Sequence, residues 1–227
     1  MLLDFLFPKT CFVCGRWKKY VCDKCEKALE FIRKDPCIYC WRINQAGLIH
    51  DRCKRPFSYD GSLSFIYYNS VAKNIIKNIK YKLVKDAFEE VFTIMWKVNS
   101  RKFIEFKKEF PSCQLQAIPL HTDRKRKRGF NQAEVITAFF SKKLGYPTIN
   151  VIRRQKNTAP QAKTHNRVER SQNIKNAFSV INKDIVVGKN IILVDDVMTT
   201  GSTAREATRV LKKAGANSIF VFSLAHG

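Results

Sequence analysis

One run of thirteen residues, 191–203, constrains the fold of this chain more than any other segment. It reads Ile-Ile-Leu-Val-Asp-Asp-Val-Met-Thr-Thr-Gly-Ser-Thr. Four consecutive apolar residues predict a strand covered on both faces, as in a parallel α/β sheet, where ligands bind beyond the carboxyl ends of the strands. Residues 204–214 follow, with Ala207 and Val210 at helical spacing and Gly215 as the stop signal. The run therefore predicts a strand, a polar turn and a helix, in that order.

The polar turn has the chemistry of a sugar-phosphate site. Backbone N–H groups, the helix dipole and hydroxyl donors at a helix N-terminus favour a phosphate. The residues that supply them here are Thr199, Thr200, Gly201, Ser202 and Thr203. Asp195 and Asp196 cannot serve that phosphate, because like charges repel, but two carboxylates accept hydrogen bonds from vicinal ribose hydroxyls or hold a hard cation. The alternative is an ordinary βα turn with a capping residue, which needs a much shorter pattern.

This run closely resembles the 5-phosphoribosyl-1-pyrophosphate (PRPP) motif of type I phosphoribosyltransferases. In that motif an acidic pair takes the ribose 2′- and 3′-hydroxyls, and a Thr-Thr-Gly-x-Thr loop takes the 5′-phosphate. The resemblance implies an α/β fold in which a parallel sheet is flanked by helices. No Gly-x-x-x-x-Gly-Lys-Ser/Thr sequence occurs, which argues against a P-loop nucleotidase.

The chain carries a large excess of positive charge. Its 227 residues include 42 Lys and Arg against 19 Asp and Glu, a net charge of +23. Such an excess suits a polyanion such as nucleic acid, an anionic membrane surface or an acidic partner, and a merely solvating surface is the alternative. No apolar run approaches the ~20 residues of a membrane span, and the apolar start lacks the basic region and cleavage site of a signal peptide. We expect a cytoplasmic protein without a membrane span.

The amino-terminal segment is predicted to bind metal. Seven of the eight cysteines lie within the first 53 residues, spaced in pairs, and a histidine completes the fourth pair. The Cys-x-x-Cys turn lets two thiolates converge on one tetrahedral ion, and two pairs complete a closed structural site. The simplest assignment is two structural Zn²⁺ ions, one for each consecutive set of four, and a crossed pairing of the outer and inner pairs stays open. The two sets are Cys11, Cys14, Cys22 and Cys25, and Cys37, Cys40, His50 and Cys53.

Zinc is favoured over disulfides because His50 occupies a cysteine position and no secretion signal is present. Some fifty residues so rich in cysteine and charge cannot form a sufficient core unaided, so the metal is expected to contribute folding energy. A boundary near Pro56 divides the chain into a metal-binding domain over residues 1–56 and a phosphoribosyltransferase-like domain over residues 57–227. Cys113 is isolated and is expected to be a small core or surface residue rather than a ligand.

Hydrophobic periodicity predicts further elements in the larger domain. In chain order they are a strand around 63–67, helices at 71–79 and 87–96, a charged connection at 101–110 and a strand at 114–120. Asn131 and Glu134 resemble a capping pair for a helix that ends at Gly145.

A second anion site is predicted after the strand at 114–120. Residues 124–128 are five consecutive cations, interpreted as a basic loop that opens a helix and takes either the pyrophosphate of PRPP or a nucleic-acid backbone. Residues 121–175 contain fourteen Lys and Arg against three Asp and Glu, so this stretch carries much of the excess charge. Residues 153–175 lack clear periodicity and are predicted to form a long loop, as an active-site lid or a mobile segment.

His121 and His165 are interpreted as hydrogen-bonded bystanders. Each could act as a general acid or base, but displacement at a ribose anomeric carbon needs charge stabilisation more than a proton shuttle. A lone histidine is more often a satisfied structural residue.

Across its length the chain resembles the ComF family. The motifs that carry the resemblance are the zinc knuckles, Ile79-Lys80-Tyr81, the Pro-Leu-His stretch leading to Arg128-Gly129-Phe130-Asn131-Gln132, Pro160-Gln161 with residues 167–170, and the PRPP motif. The resemblance implies a double zinc-ribbon head on a type I phosphoribosyltransferase fold, and a role in bringing single-stranded DNA into the cytoplasm during natural transformation. It also implies a protein partner such as a competence helicase or a recombination mediator. His50 departs from the cysteine that many members have.

The leading hypothesis is a zinc-bearing protein that binds PRPP or ribose 5-phosphate and handles single-stranded DNA. The competing hypothesis is an active phosphoribosyltransferase that displaces pyrophosphate from PRPP with a base or amine. In that enzyme Asp195 and Asp196 are the catalytic residues, residues 199–203 and Arg128 bind PRPP, Mg²⁺ bridges the pyrophosphate and loop cations stabilise the leaving charge. A third reading is a zinc adaptor whose PRPP pocket is a relic.

Overall fold

The computed structural model describes residues 9–81, 85–157 and 172–227. Its strands are β1 (Gly61–Tyr67), β2 (Cys113–Ala117), β3 (Thr148–Ile149), β4 (Ile152–Arg154), β5 (Phe178–Val180), β6 (Asn190–Met198) and β7 (Ser218–His226). Its helices are α1 (Asp23–Lys27), α2 (Ser70–Tyr81), α3 (Lys85–Glu109), α4 (Thr122–Arg128), α5 (Gln132–Leu144) and α6 (Ser202–Lys213), with 3₁₀ turns at Gln45–Gly47 and Asp51–Cys53. The predicted segments 158–161 and 167–170, together with His165, lie outside the described residues.

Five strands form one parallel sheet in the order β1-β7-β6-β2-β3, and β4 pairs antiparallel with β5 in a separate ribbon. In the central strand β6, Ile191 and Leu193 pack into the core on one face, while Ile192 and Val194 pack into the core on the other. Both faces of the strand are covered, which explains its uninterrupted apolar sequence. The predicted fold class, a parallel sheet flanked by helices with an amino-terminal zinc ribbon, is confirmed.

Strand β6 extends beyond its neighbour β2 at the carboxyl edge of the sheet. Pairing with β2 ends at Val194, opposite Ala117, whereas pairing with β7 continues to Met198. Beyond Ala117 the chain leaves β2 for Pro119, which has no N–H to continue a ladder, so the strand is shorter than predicted. The last four residues of β6 therefore lie open on the β2 side.

Helix α3 is longer than the sequence analysis predicted, and the charged connection assigned to residues 101–110 is wrong. Phe103 and Phe106 lie three residues apart on this helix and are both buried. The Phe103 ring lies 4.5 Å from the ring of Phe65 in β1, centroid to centroid. Charged residues around the two phenylalanines, namely Arg101, Glu105 and Lys108, are exposed on the outer side of the helix, so the apolar stripe continues although the charges obscure it.

The five consecutive cations form helix α4, not the loop that was predicted. His121 caps its first turn, because its Nδ1 accepts a hydrogen bond from the Asp123 backbone N–H at 3.3 Å. Gly129 ends it in a left-handed conformation with φ of 78°. His121 is thus hydrogen-bonded as a cap, in agreement with the bystander interpretation.

Asn131 caps helix α5 as predicted, accepting a hydrogen bond from the Ala133 backbone N–H at 3.1 Å. Glu134 does not complete the capping pair, because its carboxylate accepts a hydrogen bond from Lys125 Nζ at 2.8 Å instead. Cys113 begins β2 and is buried, which raises the pKa of its thiol to about 11. It is a core residue.

The amino-terminal segment packs against both faces of the sheet. Cys11, Cys22 and Cys25 belong to the core that α2, α3 and α5 form with one face, whereas Cys37 belongs to the core beneath α6 on the other. The Val21 backbone N–H donates to Glu90 Oε1 of α3 at 2.8 Å. The division at residue 56 stays a prediction. Within the described ranges, no helix has both the length and the apolar character needed to cross a membrane.

Candidate functional site

Two adjacent carboxylates stand at the open carboxyl edge of β6 and face opposite sides of the sheet, because successive strand residues alternate. Asp196 Oδ2 forms an ion pair with Lys80 Nζ of α2 at 2.7 Å. Asp195 Oδ1 accepts a hydrogen bond from the Asp196 backbone N–H at 2.8 Å. Both carboxylates are only partly exposed, so the structure holds an acidic pair in a partly dehydrated position.

The environment changes the ionisation of Asp195. Burial raises the pKa of its carboxyl, and the neighbouring Asp196 charge raises it further, to about 7. The Asp196 N–H and the positive charges of Lys80 and Arg154 oppose this increase without cancelling it. At neutral pH the Asp195 group is therefore divided between an acceptor-only carboxylate and a protonated form that also donates.

Two cations, Lys80 and Arg154, act on the acidic pair, and two more, Arg124 and Arg128, act on those two cations. Burial lowers the pKa of Lys80, but the Asp196 carboxylate more than offsets this and the pKa is raised overall. Burial and then the nearby Arg124 charge lower the pKa of Arg154 in β4 to about 10. Arg128 of α4 donates a hydrogen bond to Gln132 Oε1 at 3.2 Å. Its positive charge acts to lower the pKa of Lys80.

The sequence analysis placed Arg128 at this site but did not assign Lys80 or Arg154 to it. Lys80 had a signal, since it lies in the Ile79-Lys80-Tyr81 element of the family resemblance. Arg154 had none, because β4 pairs with β5 rather than with the parallel sheet. Its position above the carboxyl edge depends on tertiary structure alone.

Residues 199–203, which we call the hydroxyl turn, lead into helix α6. Gly201 is the N-cap with φ of 67°, a left-handed conformation that glycine adopts without strain. A Cβ at this position would lie 2.9 Å from the Tyr59 hydroxyl oxygen, so both the backbone and the space require glycine. The Thr200 and Ser202 hydroxyl oxygens lie 2.8 Å apart, and Ser202 Oγ accepts a hydrogen bond from Arg205 at 3.2 Å. The turn therefore gathers hydroxyl groups at a helix N-terminus.

A small cavity of about 10 Å³ joins Asp195 to the hydroxyl turn. Its lining includes Asp195, Met198, Thr199, Gly201 and Ser202. This volume holds about one water molecule, so a phosphate group would have to move the side chains of the turn apart.

The structure brings together the two sets of metal-ligating residues that the simplest assignment predicts. Within each set the four ligand atoms lie within 4.8 Å of one another. The sets are Cys11, Cys14, Cys22 and Cys25, and Cys37, Cys40, His50 and Cys53. The Cys14 and Cys22 sulfurs are 3.6 Å apart, and His50 Nδ1 lies 3.4 Å from Cys40 Sγ. The ligand pairs that come together are consecutive in the chain, so the crossed pairing does not occur. All eight cysteines are free thiols.

Both sets fit a structural Zn²⁺, which takes four thiolate or imidazole ligands in a closed tetrahedral site. Burial raises the pKa of the Cys11 thiol, but the N–H groups of Cys22, Cys14 and Val13 more than offset this and bring the pKa to about 6. Cys37 receives the same kind of backbone support from Cys40, His50 and Tyr39, with a pKa of about 6. At these two positions such donors stabilise the thiolate, the form in which cysteine binds metal, whereas burial raises the pKa of Cys25 and Cys53 in the same two sets.

Two domain families match the sequence. A phosphoribosyl transferase domain matches residues 127–226, which include Arg128, the acidic pair and the hydroxyl turn. A double zinc ribbon domain matches residues 2–54, which include both cysteine sets.

Several bacterial proteins are similar to this chain. Competence protein F of Haemophilus influenzae is 39% identical over 110 residues, which make up 48% of this chain and 48% of that protein. Competence protein ComFC of Streptococcus pneumoniae is 27% identical over 94% of this chain and 98% of that protein. DNA utilization protein YhgH of Escherichia coli is 34% identical over 49% of this chain and 48% of that protein. The chain thus spans about half the length of the two relatives with more than 30% identity.

Among solved structures, a Bacillus subtilis glutamine PRPP amidotransferase matches 49% of this chain and 22% of its own, with 19% identity and a TM-score of 0.31. An allosteric regulatory enzyme of purine biosynthesis matches 85% of this chain and 31% of its own, with 15% identity and a TM-score of 0.33. These TM-scores are too low to define a shared fold, so the fold assignment depends on the strand order and the domain match.

Proposed function

Since this chain is a ComFC-like protein, with a double zinc ribbon domain and a phosphoribosyl transferase domain, we propose that it binds PRPP or ribose 5-phosphate at residues 195–203. We further propose that it handles single-stranded DNA in the cytoplasm during natural transformation. The names of its relatives, competence protein ComFC and DNA utilization protein YhgH, support a competence-related role.

One observation carries the ribose-phosphate assignment: a single cavity is lined both by Asp195 and by the hydroxyl turn. A pentose phosphate has neighbouring hydroxyls at one end and a dianion at the other. The carboxylates accept hydrogen bonds from the hydroxyls, and the N-terminus of α6 favours the dianion. Both groups follow one strand end and line one cavity, as a ligand with these two ends requires.

The surrounding cations complete the proposed site. Lys80 holds Asp196 in place and reduces the repulsion between the two carboxylates. Arg124, Arg128 and Arg154 are partly buried and converge on the same region, where they suit the pyrophosphate of PRPP. Without these positive charges, the Asp195 carboxylate would repel a phosphate dianion bound beside it. The cations are therefore needed for PRPP to bind.

The donor set also fits Mg²⁺, a hard cation that prefers carboxylate oxygens and keeps several other ligands. Asp195 is the residue of this chain that would hold it, because Asp196 is already paired with Lys80. Bound there, Mg²⁺ would neutralise negative charge that develops on phosphate oxygens. The chain itself contributes the orientation of the ribose and the cations around the pyrophosphate.

Calorimetric titrations with PRPP-Mg²⁺ and with single-stranded DNA test the two parts of the proposal separately. The double variant Asp195→Asn/Asp196→Asn should lose PRPP binding while keeping the wild-type circular dichroism spectrum. Asp184→Asn, which replaces an exposed carboxylate away from the site, is the matched control and should bind normally. Unchanged PRPP affinity in the double variant would refute the ribose assignment.

The cluster of partly buried cations keeps a second candidate function open, namely turnover of PRPP with displacement of pyrophosphate by a base or amine. Positive charges beside the departing group are what such a displacement requires. Pyrophosphate release in the presence of a panel of nucleobases and amines would establish it. Binding of PRPP without release would support a binding role, and absence of binding would support an adaptor with a relic pocket.

A further inference from the structure

A second cavity, much larger than the first, lies between the second zinc knuckle and the end of the sheet. Its volume is about 460 Å³, within the range of about 300–1,000 Å³ that is usual for small-molecule sites. Four aromatic rings line it, those of Trp41, Tyr59, Tyr68 and His226. We call it the aromatic cavity. The Trp41 and His226 rings are stacked, with centroids 5.6 Å apart and planes inclined by 25°.

Trp41 occupies a backbone position that favours glycine. Its φ is 61°, a left-handed conformation that is costly for a bulky residue. The first knuckle has the same turn with Gly15 at the corresponding place: the Gly15 N–H donates to Cys11 O at 2.9 Å, and the Trp41 N–H donates to Cys37 O at 2.8 Å. The two knuckles thus share one geometry, and only the second places a large ring there. A residue held at such a cost, with 61% of its surface exposed, points to a ligand.

The aromatic cavity adjoins the proposed phosphate site. Thr199 and Gly201 line both cavities, whereas Asp195 lines only the smaller one. The hydroxyl turn is therefore a wall between them. A DNA phosphodiester held at the turn joins two nucleotides through its two ester oxygens, so the nucleotide on the far side of that phosphate can enter the aromatic cavity.

Charge favours the same ligand. Arg42 follows Trp41 and is exposed, and Arg205 lies beside the hydroxyl turn, where it donates to Ser202 Oγ. Burial and then the Lys102 charge lower the pKa of His226, so its ring is neutral at physiological pH and can stack without adding charge. Cations that track a backbone, combined with rings that stack on bases, are typical of single-strand binding sites.

We propose that the aromatic cavity binds one base of single-stranded DNA by stacking on Trp41, beside a phosphate at the hydroxyl turn. This inference rests on the proposed function, since it takes the turn to be a phosphate site. It adds a ligand-binding role for the second knuckle, which the zinc ligands alone do not have.

The test compares an oligothymidylate of about 12 nucleotides with an abasic strand of the same length and charge. Wild-type protein should bind the thymidylate strand more tightly, and Trp41→Gly should bind it roughly five- to 150-fold more weakly, the usual loss for one stacked base. Glycine suits the left-handed turn, so this variant should fold. Trp17→Ala removes the exposed tryptophan of the first knuckle as the matched control and should leave the affinity unchanged.

Three results would overturn the proposal: equal binding of the abasic strand by the wild type, an equal loss in Trp17→Ala, or thymidine monophosphate binding as tightly as the strand. Ribose 5-phosphate is titrated in parallel and should bind Trp41→Gly as it binds the wild type. If the wild type binds no ribose 5-phosphate but still prefers the thymidylate strand through Trp41, the proposed function fails at the hydroxyl turn while the stacking site stands.

Discussion

Asp195 and Asp196 have the same side chain but different surroundings. Asp196 forms an ion pair with the ammonium of Lys80, whereas Asp195 is partly buried beside another carboxylate. The sequence predicted that the two residues stand together at a strand end, because the apolar run before them defines the strand. It did not predict Lys80 as a partner, since that contact joins two elements far apart in the chain. The sequence therefore predicted the acidic pair itself, but not the ion pair that gives the two carboxylates different environments.

The raised pKa of Asp195, about 7, predicts that its charge destabilises the fold at neutral pH. Between pH about 4 and 7 the folded protein holds a proton that the unfolded chain has released, so this group lowers the free energy of unfolding as pH rises. Asp195→Asn removes that titration. Relative to the wild type, the variant should gain about 1–4 kcal/mol between pH 4 and pH 8, at about 1.4 kcal/mol per pKa unit.

Urea unfolding at both pH values measures this gain. Asp184→Asn, at an exposed position, should show the same pH dependence as the wild type. A variant whose stability follows the wild-type curve at every pH would mean that the Asp195 carboxyl titrates normally.

At the scale of elements, sequence periodicity predicted the helices and strands whose apolar faces are clean. Periodicity failed in segments where charged residues outnumber the apolar ones and obscure their spacing. The second half of α3 is rich in Lys, Arg and Glu, yet Phe103 and Phe106 keep one side of it in the core. Helix α4 has no apolar side at all and is fixed by its caps, His121 and Gly129, rather than by periodicity.

Truncation of Phe103 tests the corrected assignment of α3. Phe103 is buried and contacts four aromatic rings, at Phe65, Trp96, Phe140 and Phe222. Phe103→Ala should lower the free energy of unfolding by about 3–5 kcal/mol, as for other buried phenylalanines. Ile104→Ala, at the next position but 42% exposed, should cost less than about 1 kcal/mol. Similar losses in chemical denaturation of the two variants would contradict the burial of this half of the helix.

At the scale of the whole molecule, the two cysteine sets support opposite faces of one sheet. The spacing of the pairs predicted both sets, but the way they pack could not be read from it. The second set shares its core with Tyr59 and Met198, which adjoin the hydroxyl turn. The first set lies against α2 and α3, on the far face.

Purified protein should contain two zinc ions per chain, measured by elemental analysis. Cys14→Ser and His50→Ala should each reduce this to one, since each removes one ligand of one set. Because only the second set adjoins the core beneath the hydroxyl turn, His50→Ala should weaken PRPP binding more than Cys14→Ser. One equivalent of zinc in the wild type, unchanged in His50→Ala, would restrict the metal to the first set.

The cations of α4 divide into two groups that the sequence alone does not separate. Arg124 and Arg128 lie one helical turn apart, are partly buried and act electrostatically on the groups around the acidic pair. Lys125, Arg126 and Lys127 are exposed to solvent. The ion pairs of Lys125 with Glu134 and of Arg126 with Asp123 are exposed and weak, so both cations can exchange partners for phosphates.

Salt dependence should distinguish these groups. If the exposed cations neutralise DNA phosphates, the slope of log K against log salt for a single strand is about −0.7 for each phosphate contacted. Replacing Lys125, Arg126 and Lys127 with alanine should flatten the slope by up to about 2 and weaken binding to all sequences equally, since phosphate contacts carry no base information. PRPP affinity should stay unchanged in this triple variant.

Replacing Arg124 and Arg128 with alanine is the matched comparison and should have the opposite effect. These side chains act electrostatically on the acidic pair's neighbours, so PRPP affinity should fall while the salt slope for DNA changes little. Filter binding or fluorescence anisotropy over a range of salt concentrations gives the slopes, and calorimetry gives the PRPP affinities. If the wild-type DNA complex does not weaken with salt, the +23 net charge serves solubility rather than DNA binding, and the exposed side of α4 is not a DNA-contacting surface.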